Sequence, residues 1–100
     1  MTDDLFRYSF SESVPIEEVE ASLLLAILAT ESLHGEAKTR LEAAHYFDPA
    51  KRACVIDAGT PLGQDLNRLF TGFVGREFGP DVFTVEHVGT HHHPFPEAAA

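Results

Sequence analysis

Two groups of residues in this 100-residue chain are of types that do chemistry at close spacing. The first is Asp57-Ala58-Gly59-Thr60, followed by Pro61, Leu62 and Gly63. An acid, a glycine and a hydroxyl at the mouth of an apolar-periodic segment are the parts from which helix N-terminal anion sites are built. The expected contacts are Gly59, Thr60, Leu62 and Gly63, chiefly the free amides of the last two. Asp57 and Asp65 oppose them by charge, so the expected site is weak. The second group is His87 followed by His91, His92 and His93. Several imidazoles in a short span suit zinc or nickel. Three of them are consecutive and lie beside prolines, which gives adventitious capture rather than a preorganised site. No resident metal and no cofactor are expected.

The pattern Asp57-x-Gly59-Thr60 resembles the phosphate loop of the actin and heat-shock ATPase superfamily, and that resemblance would imply phosphate binding between two strands. In this chain a proline and a helix come next. The residues then have local tasks: Gly59 makes the turn, Thr60 caps the helix, Pro61 takes its first position and Gln64 reaches back as a capping-box partner. His45 and Cys54 are possible cross-strand neighbours, the pairing from which a thiolate–imidazole nucleophile is made. On a helix-covered face the same two residues serve as core. Acylphosphatases share this size and element order, but resemble a pattern with a glycine-rich anion loop and an arginine after the first strand. This chain has Ser11-Glu12-Ser13-Val14-Pro15 there, so that activity is not expected.

The elements that must position these residues follow from periodicity. Residues 5–10 alternate with period two, placing Phe6, Tyr8 and Phe10 on one face and Arg7 and Ser9 on the other. Pro15 opens a helix over about 15–34, with Glu17 and Glu18 at its positive end, an apolar face of Ile16, Val19, Leu23 and Ile27 with Leu24 and Leu28 beside them, and Gly35 as its stop. His34 suits the C-terminal end of its dipole. Alternation over 37–47 predicts a second strand carrying Lys38, Arg40, Glu42, Ala44 and Tyr46 on one face. Asp48-Pro49-Ala50-Lys51 predicts a turn, and 52–58 a third strand. With Asp48 opposite Lys51, the pairs would be Phe47 with Arg52, His45 with Cys54 and Ala43 with Ile56; a bulge would change that register. A second helix from about Thr60 buries Leu62, Leu66, Leu69, Phe70, Phe73 and Phe78. Gly79-Pro80 ends it, and 82–88 form the last strand.

The expected class is α+β: a ferredoxin-like βαββαβ plan, with a four-stranded antiparallel sheet and two helices on one face. Residues 1–89 form the expected domain and 90–100 a flexible C-terminal tail. The uncovered sheet face is the expected pocket or interface, with Arg7, Arg40, Tyr46 and Val55 as its principal residues.

Composition narrows the partners. Sixteen acidic residues against seven basic ones give a net charge of −9, which repels nucleic acid and anionic membrane surfaces. No apolar run is long enough to span a bilayer, and the acidic start is unlike a signal peptide. One cysteine, Cys54, agrees with a reducing compartment, so the expected location is cytoplasmic. With no acid–base or nucleophile–base pair in evidence, the expected function is a small non-catalytic protein-interaction module that self-associates through its open sheet face. The alternative is a dimeric α+β-barrel-type enzyme or ligand-binding protein, with Arg7, Arg40, Tyr46 and His87 lining the pocket between two sheets.

Overall fold

A computed structural model of the chain describes residues 4–88. The expected tail, and with it His91, His92 and His93, lies outside the described residues. Strand β1 (Leu5–Phe10) pairs on one edge with β3 (Ala53–Asp57) and on the other with β4 (Phe83–Val88), while β2 (His45–Asp48) completes the sheet beyond β3. The strand order is β2-β3-β1-β4, and every neighbouring pair is antiparallel. Helices α1 (Ile16–His34) and α3 (Pro61–Phe78) pack on one face of this sheet. The class is the expected α+β, a four-stranded antiparallel sheet with a helical layer on one side.

A third helix departs from the expected element order. Residues Glu36–Glu42 form α2, where alternation had predicted most of the second strand. The sequence Glu-Ala-Lys-Thr-Arg-Leu-Glu consists almost wholly of strong helix formers, and Glu36 pairs with Arg40 one turn on, Oε2 to Nη2 at 2.6 Å. Gly35 separates α1 from α2 at φ 92°, a left-handed conformation that turns the chain without a Cβ clash. Only residues 45–48 remain for the strand.

The hairpin register also differs from the expected one. Phe47 faces Cys54, Tyr46 faces Val55 and His45 faces Ile56, a displacement of two residues along β3. The connection is four residues long rather than two. Lys51 N–H donates to the Asp48 carboxylate at 3.2 Å, Arg52 N–H to the Pro49 carbonyl at 3.2 Å, and Arg52 closes the loop at φ 54°. Because side chains alternate with period two, a two-residue displacement leaves every residue on its expected face.

Arg52 is held in that left-handed conformation by its own side chain. Its guanidinium donates to the carbonyls of Phe10 (3.3 Å), Ser11 (2.8 Å) and Val14, joining the hairpin turn to the loop before α1. Three chain carbonyls at the end of β1 and just past it thereby find a donor in one side chain.

The core lies between sheet and helices. Tyr8, Phe10, Cys54 and Ile56 from the sheet meet Val19, Leu23 and Ala26 of α1 and Leu66, Phe70 and Val74 of α3. The Tyr8 ring meets Phe70 edge-on at 4.8 Å between centroids. Leu69, Phe73 and Phe78 are partly buried against this cluster. β4 extends past the helical layer: Val85 pairs with Tyr8, so it is on the helix side, yet it is 44% exposed.

Candidate functional site

The corner from Asp57 to Gly63 is a capped helix start. Thr60 Oγ1 accepts from Gly63 N–H at 3.0 Å, Pro61 occupies the first helical position, and Gln64 N–H donates to the Thr60 carbonyl at 2.8 Å. Gly63 holds the third position, where a capping box would need Gln64. The side chain of Gln64 instead lines a cleft. The Asp57 carboxylate accepts from Gly59 N–H at 2.9 Å. Two amides that an anion would use are thus occupied from within the chain, and one of them is held by a negative charge. Gly63 has a packing task too: a Cβ there would overlap the carbonyl oxygen of Asp57.

On the uncovered sheet face, register places Tyr46, Val55, Arg7 and Glu86 in one row across all four strands. Three of the residues expected on this face therefore do lie together. Arg40 does not: it lies on α2, 72% exposed and paired with Glu36. Val55 is only 4% exposed, so it offers a partner little apolar surface. The next row, Asp48, Ala53, Ser9 and Thr84, is polar apart from a buried alanine. His87 pairs with Phe6 and so faces the opposite, helical side. The four residues expected to line a barrel pocket are thus spread over two sheet faces and a helix.

Cys54 and His45 are not cross-strand partners, because the register gives Cys54 to Phe47 and His45 to Ile56. Burial pushes the Cys54 thiol up to about 12, which keeps it protonated at neutral pH, the reverse of what an activated nucleophile needs. Tyr8 is likewise pushed up to about 12, mainly by burial and despite its bond to Thr71. Its hydroxyl donates to Asn67 Oδ1 at 2.6 Å and touches Thr71 Oγ1.

Two further polar contacts were not legible in the sequence. His34 Nε2 lies 2.8 Å from Asp65 Oδ2, fastening the end of α1 to the start of α3, with Arg68 on the other Asp65 oxygen at 3.7 Å. His87 Nε2 lies 3.3 Å from Asp4 Oδ1, and its ring lies 5.0 Å from that of Phe6. Beside this pair is a shallow cleft of about 240 Å³ lined by Asp4, Phe6, Ala58, Gln64, Asn67 and Arg68. Among the described residues no three of His, Cys, Asp and Glu converge as metal ligands.

Among the described residues, most of the exposed large apolar side chains are on α1. Leu24 and Leu28 were expected beside the buried face, yet they are 56% and 60% exposed, and Leu25 between them is 57% exposed. At 100° per residue they point away from the buried Val19, Leu23 and Ala26, with exposed Ala21 among them. Leu33, near the end of α1, and Leu41, on α2, are also exposed, at 65% and 85%.

No helix among the described residues is long and apolar enough to cross a membrane. No protein-family model, curated protein or solved structure matches this chain.

Proposed function

We propose that this chain is a small protein-contact module without catalytic machinery, which acts by associating with itself. The observation that carries the reading is the outer face of α1, where Leu24, Leu25 and Leu28 meet solvent side by side. An outward helix face is ordinarily polar, and a helix apolar all round ordinarily has cover on every side. The uncovered sheet face is the weaker surface for the same purpose, since its central Val55 is already buried. The net charge of −9 supports a protein partner over nucleic acid or an anionic membrane. The single buried thiol supports the cytoplasm as its compartment. Light scattering across a range of concentrations tests the reading: a mass rising from monomer toward dimer is expected. A mass that stays monomeric into the millimolar range overturns it.

The cleft beside Phe6 and Arg68 favours a second reading, a small-molecule site. A thermal-shift screen with phosphate, nucleotides and divalent metals tests it. A ligand at a hundred times its dissociation constant stabilises the fold by about 2.7 kcal/mol.

A further inference from the structure

We infer that the leucine face of α1 is covered by the same face of a second copy, in a two-fold pair of crossed antiparallel α1 helices. This rests on the self-association reading above and adds the surface and its geometry. A two-fold contact needs a patch complementary to itself. The outer face of α1 carries Ala21, Leu24, Leu25 and Leu28 at its centre, with exposed Glu17 one turn before them and exposed Ser32 one turn after. An antiparallel two-fold axis between positions 24 and 25 sets Leu24 against the partner's Leu25 and Ala21 against the partner's Leu28. The smallest residue of the patch thus receives one of its largest. Ala21–Leu25 and Leu24–Leu28 are also two parallel i,i+4 ridges. Ridges of this kind interdigitate when helices cross at about −50°.

Charge selects the crossed arrangement over a coaxial one. Glu17, Glu18, Glu20 and Glu31 flank the patch toward its two ends. Helices laid side by side would bring these carboxylates of two copies together. A crossing at the leucines carries them apart.

Area sets the strength. The exposed parts of these residues amount to a patch of a few hundred Å² per copy, so the pair belongs with interfaces below about 1,200 Å² in total. Such a dimer is weak and reversible. Two chains of charge −9 repel, so added salt strengthens it, opposite to an association held by ion pairs.

Oxidative cross-linking of full-length variants tests the orientation. The double variant A21C/L28C should give a covalent dimer, whereas A21C and L28C alone should not. Cross-linking by A21C alone would mean a parallel pair and overturn the geometry while leaving self-association intact. In parallel, L25E should return the protein to monomer by light scattering with its helical circular dichroism unchanged, because Leu25 is exposed in one copy. A dimer that survives L25E would place the contact elsewhere, on the sheet face for instance. A wild-type protein monomeric at every concentration and salt would end both this inference and the reading beneath it.

Discussion

The Tyr8 hydroxyl, on the central strand β1, donates to Asn67 Oδ1 on α3 at 2.6 Å. This bond ties the sheet to the helical layer through the largest fully buried side chain. It also fixes where α3 sits over β1, since the ring below the hydroxyl packs edge-on against Phe70 one helical turn away. Removing the hydroxyl while keeping the ring isolates the bond from the packing. Tyr8→Phe should cost about 1 kcal/mol in urea denaturation, because Asn67 is partly exposed and water can replace the lost donor. A midpoint equal to the wild type's would show that the bond only exchanges for water.

Alkaline pH should destabilise the protein through Cys54 and Tyr8. Their ordinary values are 9.0 and 10.0, and both stand at about 12 in the fold. The folded state therefore holds both protons more tightly, and unfolding releases them once pH exceeds the unfolded values. The stability they contribute is complete below about pH 9 and is lost progressively as pH rises toward 12. In Cys54→Ala the decline should begin nearer pH 10. Chemical denaturation at a series of pH values under reducing conditions measures the shift.

The glycines of α3 should respond in opposite directions. Gly63→Ala places a methyl group on the Asp57 carbonyl and forces α3 away from β3, an overpacking loss of about 1–3 kcal/mol. Nothing lies within 4 Å of a Cβ at Gly72 or Gly75. Alanine at either should raise stability by up to about 1 kcal/mol, since glycine is the poorer helix former. Thermal melts of the three single variants give the comparison directly.

Arg52→Ala should be costly for a turn residue, by about 2 kcal/mol, because Phe10, Ser11 and Val14 lose a common charged donor. Arg52→Lys should recover only part of this, since one ammonium cannot span three carbonyls as a guanidinium does. Equal losses in the two variants would point to the backbone conformation rather than the side chain.

The helical layer and the face of each strand residue were legible because periodicity records which side is buried. Tyr46, Val55 and Arg7 share a row although the hairpin pairing was displaced by two. Length was the part that alternation hid. The segment 37–42 alternates polar and apolar residues, but its composition and the Glu36–Arg40 spacing favour a helix. The leucines of α1 show another limit. In a helix with apolar residues all round, periodicity cannot tell the covered side from the uncovered one, so Leu24 and Leu28 could be placed only once α3 and the sheet had taken the other face. At the Asp57–Gly63 corner, local chemistry was strong enough for the cap to be read directly: Thr60 caps and Pro61 starts the helix, whereas the capping-box role expected of Gln64 falls at Gly63, whose amide Thr60 takes.

The position of β1 between β3 and β4 has a kinetic consequence. Its two partners come from far along the chain, and the Asp4–His87 contact at its end joins residues 83 positions apart. Closing such long loops costs entropy before the contacts can repay it, so pairing of this kind is slow. The αα segment and the β2–β3 hairpin are local and can form early. The central strand finds both of its neighbours only after α3 has brought β4 back across the sheet, so the first strand in chain order is among the last to be locked in place.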